Sequence, residues 1–265
     1  MKSNKTIKNL IIVALSFIAF YLLFQNFKTI KVELDSITHQ GIISYIATYF
    51  LIGIPIFIGT WIINKNRNIL KYLGLSESMF TGIWTSALFT LPMFAGGLIF
   101  FNLSNEIEVQ DLIAGTLIAG FMEELYYRGF LFGQLFKNTR LGFIPSIFLG
   151  ALIFASGHLY QSQDLNELVG IFSVTFMGAV LFAWLFAEWN YNLWVPIFTH
   201  TFMNLSWMLF DSGTTALGGI TANIFRALTI AIAILFTINY KKRHNLPFEI
   251  NRKTLLLKRN NDQKN

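Results

Sequence analysis

Apolar residues run along this chain in unbroken blocks of about twenty, with no strict polar/apolar alternation and no polar stripe returning at helical period. Wound as helix at about 1.5 Å per residue, a block of that length spans roughly 30 Å of hydrocarbon. The block boundaries predict eight spans, at 9–25, 41–63, 80–101, 112–136, 143–161, 167–187, 192–210 and 217–240. A membrane β-barrel would instead show strands of about ten residues with alternating polarity. In lipid, unbroken apolar runs satisfy their own backbone only as helices. The pattern therefore predicts an all-α polytopic transmembrane helix bundle of about eight spans.

Composition agrees with that pattern. The 265 residues are 54% hydrophobic and 13% charged, with mean hydropathy +0.53 and 28 Phe, far from the quarter charged of a soluble domain. The net charge of +6 raises nucleic acid as a partner, but the basic residues sit at the ends of apolar blocks, as topology determinants do. Lys2, Lys5 and Lys8 precede the first span, Lys65, Arg67 and Lys71 follow the second, Lys137 and Arg140 the fourth, and Lys241, Lys242 and Arg243 the eighth. With eight crossings all four clusters fall on one side, which predicts both termini in the cytoplasm. Glu33, Asp35, Glu106, Glu108, Asp164 and Glu167 fall on the other side, diluted by Lys28 and Lys31. The partners expected are the lipid bilayer and not nucleic acid.

The run after Lys8 looks like a signal peptide, but Gln25, Asn26, Phe27 and Lys28 follow it with no small-residue cleavage pattern, so a first span is the better reading. The absence of Cys excludes disulfides, thiolate catalysis and Cys-ligated metal. A metal here must use His, carboxylate or amide ligands. The tail from His244 to Asn265 is polar, is expected to be partly disordered, and is assigned no chemistry.

An ionisable side chain at mid-bilayer costs about 2.5–3.5 kcal/mol on the insertion scale, which makes such residues informative. Three spans are read as containing them: the fourth with Glu123, Glu124 and Arg128, the fifth ending near His158, and the seventh with His200 and, beside it, Asn204. Glu124 and Arg128 are four apart and can pair on one helix face. Glu123 points about 100° away and lacks a local partner, the setting in which a carboxylate becomes a general base. His200 and Asn204 share a face one turn apart, and His158 offers a second imidazole. Two imidazoles plus oxygen ligands suit a divalent metal, zinc first, with a position left for water.

Helical rise puts Glu123 about 13 Å and His200 about 12 Å from the cytoplasmic face, whereas His158 comes out near 22 Å, so it joins them only if its helix is tilted, recessed or bounded differently. Bland explanations exist for single members. Glu124 with Arg128 alone reads as a structural ion pair, Phe154 as core packing, and Gly129 with Gly133 as a close-packing pair. Trp61, Trp189 and Trp194 near span ends read as interfacial anchors, and His39 and His244 as loop bystanders. The set as a whole favours chemistry.

At these residues the sequence resembles the CAAX-prenyl-protease and bacteriocin-processing family of intramembrane peptidases, also called Abi or type II CAAX proteases. Three motifs appear in order: Glu123-Glu124-x-x-x-Arg128, Phe154-x-x-x-His158 and His200-x-x-x-Asn204. The resemblance covers about 111–210. It implies 1–110 as an N-terminal part of three spans, 111–240 as the catalytic transmembrane core and 241–265 as a cytoplasmic tail. It implies an endopeptidase acting on a membrane-associated or lipidated peptide or protein. Glu123 would activate the water, His158 and His200 would bind metal or polarise that water, and Asn204 would ligate or stabilise the oxyanion. Glu124 and Arg128 would position the base.

The resemblance leaves a metallopeptidase and a glutamate-activated hydrolase both open, and the two imidazoles favour the metal, with Glu123 and Asn204 as further ligands. The Cys-free, Lys- and Asn-rich composition points to a bacterial cell membrane, where relatives serve bacteriocin immunity, leader processing or surface-protein regulation. The alternatives are a non-catalytic membrane scaffold or bacteriocin-immunity factor, and a metal or proton transporter. The sequence does not specify the substrate, whether it is prenylated, or the oligomeric state.

Overall fold

A computed structural model describes residues 2–66, 68–105 and 108–258. Arg67, Glu106, the side chain of Lys2 and the last seven residues of the tail, all used in the sequence reading, lie outside the described residues or atoms. The described chain is helical and contains no β-strand beyond two isolated bridges. Its helices are α1 (Lys2–Phe24), α2 (Phe27–Thr38), α3 (Gly41–Asn64), α4 (Ile69–Leu73) and α5 (Met79–Phe100). A rod follows in which α6 (Val109–Ile113), α7 (Ala119–Glu123) and α8 (Gly133–Asn138) are joined by π-helical stretches at Ala114–Ile118 and Glu124–Phe132. The last four are α9 (Phe143–Ser156), α10 (Leu165–Glu188), α11 (Trp194–Leu209) and α12 (Ile220–Arg243).

Six of these helices are long and apolar enough to cross a membrane: Asn4–Phe24, Gly41–Asn64, Met79–Phe100, Phe143–Gln161, Leu165–Glu188 and Ile220–Arg243. The chain is thus a multi-pass helical membrane protein. Of the eight spans expected, the fourth and seventh do not meet that measure, for physical reasons. The fourth is the rod, interrupted by two π-helical stretches, and the seventh is α11, only 16 residues long. These two elements carry Glu123, Glu124, Arg128, His200 and Asn204, so the most polar part of the bundle is also its least regular.

The bundle places both at its centre. α11 packs most extensively on α5, which also receives α12, while α9 packs on α10 and α1 on α3. Aromatic contacts join the first helices to the rod: Phe20 lies 4.8 Å from the Tyr126 ring, and the Tyr126 hydroxyl donates to the Tyr49 carbonyl at 2.7 Å. The rod meets α11 at Gly120, where an added Cβ would lie 2.7 Å from Thr201 Oγ1. That close approach brings the Glu pair against His200. Gly129 and Gly133 face Leu193 and Phe186 at 3.0 and 3.1 Å on the same measure, as the small-residue pairing anticipated.

The described part of the tail is docked on the helices. Leu256, Thr254 and Leu255 carbonyls accept from the N–H groups of Gly142, Phe143 and Ile144, the donors that the start of α9 leaves without helical partners. Lys258, also buried, donates through Nζ to the Phe136 carbonyl and lies over the Phe136 ring. Polarity of the tail misleads because its backbone, rather than its side chains, makes most of this contact. Of the three Trp residues read as anchors, Trp61 is exposed, whereas Trp189 and Trp194 donate to Thr237 Oγ1 at 3.0 Å and the Leu75 carbonyl at 3.2 Å.

Candidate active site

Glu124 is the hub of the site. Its carboxylate is wholly buried, and Oε1 meets Arg128 Nη1 at 2.9 Å and His200 Nδ1 at 2.8 Å. Arg128, four residues on, is equally buried, with its guanidinium 4.5 Å from the Phe154 ring centre and 5.4 Å from that of Phe182. The Arg128–Glu124 contact is a charge contact outside hydrogen-bond geometry, and Glu124 Oε2 is buried with no partner among the described residues. The rings offset part of the cost of burying the cation.

This geometry bears on the tautomer of His200. A carboxylate oxygen accepts, so a neutral imidazole that donates to it from Nδ1 presents a lone pair at Nε2. The ring is clamped against Phe182, stacked at 5.1 Å and 21°. Nε2 faces Glu123 Oε2 at 3.9 Å, too far for a direct hydrogen bond and close enough for one water to touch both. Glu123 is only partly buried, as the 100° offset from Glu124 requires.

His158 lies just past the end of α9, in the turn before a short 3-10 segment at Leu159–Gln161. The span is bounded differently from the helix, so the depth offset expected for His158 is carried by a turn rather than by helix. Its Nδ1 bonds the Phe154 carbonyl at 2.8 Å, which as a pure acceptor again leaves Nε2 the free nitrogen. Phe154 is more than packing: its ring lies 4.7 Å from the His158 ring and 6.4 Å from that of His200, edge-on to the latter. Asn204 donates through Nδ2 to the Gly115 carbonyl at 3.1 Å, where the rod is π-helical. One of its two amide hydrogens is used there.

Glu123, Phe154, His158, His200 and Asn204 all line one cavity of about 1120 Å³, whereas Glu124 and Arg128 lie behind its wall. The expected divalent metal is a separate matter. Among the described residues no three His, Asp or Glu side chains gather closely enough to hold an ion. The ligand set expected also includes the amide of Asn204, which lines the same cavity as Glu123, His158 and His200.

Two contributors were missed in the sequence. Phe182, the platform under His200, carries no signal in a run of apolar residues. Arg226 does: it is an ionisable residue well inside the 217–240 block, a span beyond the three read as containing one. It also lines the cavity.

Fold and site together define a multi-pass helical membrane protein with a carboxylate–imidazole centre on the wall of an open cavity. The family model described as Type II CAAX prenyl endopeptidase Rce1-like matches residues 105–206, the segment holding all three motifs. This is the family that the motifs resemble, and at family level it is one of CAAX-type intramembrane endopeptidases. No curated protein and no solved structure matches the chain.

Proposed function

We propose that this protein is an intramembrane endopeptidase that hydrolyses a peptide bond in a membrane-associated or lipidated peptide or protein, with Glu123 as general base. The observation that carries the reading is the facing pair of Glu123 Oε2 and His200 Nε2 at 3.9 Å on the wall of a peptide-sized cavity. A water held between two acceptors gives one hydrogen to each and turns a lone pair towards the substrate carbonyl. Glu123 takes the proton as the water attacks, then delivers it to the departing amine.

His200 is kept in the accepting tautomer by Glu124, and Arg128 stands against the same carboxylate oxygen, so the pair acts through positioning. The second amide hydrogen of Asn204 serves the oxyanion. His158, tied by Nδ1 to the chain at Phe154, offers Nε2 to the same water or to the leaving amine. No step passes through a metal. The topology proposed remains eight crossings with both ends cytoplasmic, in a bacterial cell membrane, the rod and α11 completing the six longer helices.

The test uses purified protein in proteoliposomes with a library of hydrophobic peptides, read by mass spectrometry. Wild type should cut and Glu123→Gln should not. Equal cutting by both removes Glu123 as base. Cutting abolished by a chelator and restored by zinc would return the metal to the centre.

A further inference from the structure

Arg226 stands on α12, away from the three motifs, yet lines the same cavity as Glu123 and His200. It is nine-tenths buried, and its Nη1 has no hydrogen-bond partner among the described residues. None of the described ion pairs includes it, so Asp211, a carboxylate on the same wall, does not neutralise it. An unpaired cation inside a bundle is costly and calls for an anionic partner.

The guanidinium is nevertheless held in place. Its central carbon lies 3.9 Å from the centre of the Trp207 ring. Trp207 is itself fixed, because its Nε1 donates to the Thr215 carbonyl at 3.2 Å and Gly218, at φ 64°, packs so close that a Cβ would lie 2.3 Å from the indole. Stacking leaves the edges of a guanidinium free, and those edges match a carboxylate.

Trp207 also sets a distance. It follows His200 by seven residues on α11, nearly two full turns, so both side chains leave the same helix face about 10 Å apart along the axis. An extended peptide covers that distance in about three residues. Met203 and Asn204, between them on the helix, line the cavity too.

We propose that Arg226, stacked on Trp207, is a carboxylate-binding subsite of the substrate cavity, taking a carboxylate about three residues from the bond presented to Glu123 and His200. This rests on the peptidase reading above. The carboxylate is supplied either by the free C-terminus of the peptide or by an Asp or Glu side chain.

The test is binding of a labelled Leu-rich hexapeptide to full-length Glu123→Gln protein in detergent micelles, by fluorescence anisotropy. Three forms are compared: the free acid, the C-terminal amide, and the amide with Asp placed third from the cleavage position. The acid, the Asp-containing amide or both should bind at least tenfold more tightly than the plain amide, and which one does so identifies the source. Adding Arg226→Gln should bring that ratio to about one. Arg226→Lys should keep the charge but lose at least threefold of the ratio, and it serves where Arg226→Gln does not fold. Equal binding of all three forms, no binding of any, or a ratio unchanged in both variants overturns the proposal. The peptidase reading fails separately, by undiminished cutting in the Glu123→Gln protein.

Discussion

Two buried glutamates, Glu124 and Glu188, show how the same side chain serves different ends in one bundle. Glu188, at the end of α10, accepts from Lys241 Nζ at 2.5 Å and from the N–H groups of Glu249 and Ile250 at 3.2 and 2.9 Å. Both of its oxygens are used, and every donor belongs to the chain segment it ties down. Glu124 uses one oxygen for Arg128 and His200 and leaves the other bare. A saturated carboxylate is an anchor. An unsaturated one bonded to an imidazole that opens on a cavity sets that imidazole's tautomer, and the surrounding helix gives up regular winding to place it there.

The contrast can be broken most sharply at the cavity. Glu123→Gln should lower cleavage by about 10²–10⁴-fold with the fold intact, measured by peptide processing beside thermal unfolding in detergent. Undiminished processing would make the Glu124 side of the contrast structural as well. Glu188→Gln should do the reverse. Leaving Lys241 buried without its charge partner costs about 3–5 kcal/mol, read as a lower unfolding temperature and faster hydrogen exchange at Gly142, Phe143 and Ile144, while the remaining folded enzyme keeps its turnover.

Asn204→Ala should cost about 10²-fold in turnover if its amide serves the oxyanion, with little change in KM. An effect on KM alone would assign it to substrate binding. The smallest effect sharpens the anchor side. Burial pushes the Lys258 ammonium down to about 8, against 10.5 when free, with Glu249 opposing the shift. The folded state then binds fewer protons than the unfolded one between those values, so stability should rise modestly as pH goes from about 8 to 10.5. Lys258→Met should flatten that rise in pH-dependent unfolding curves.

The sequence by itself determined the helical class, because in lipid a twenty-residue apolar run has no other way to satisfy its backbone. It also isolated Glu123, Glu124, Arg128, His158, His200 and Asn204, since ionisable and amide groups stand out against hydrocarbon at single-residue resolution. The i, i+4 pairing of Glu124 with Arg128 followed from helical period alone. Tertiary structure decided what no period along one chain contains: that Glu124 bonds His200 across two elements, that Phe182 carries the imidazole, that Arg226 from the last helix opens on the same cavity, and that a polar tail docks through its backbone. The physical reason is the same in each case. Burial cost identifies which residues need partners, and only packing between distant segments supplies them.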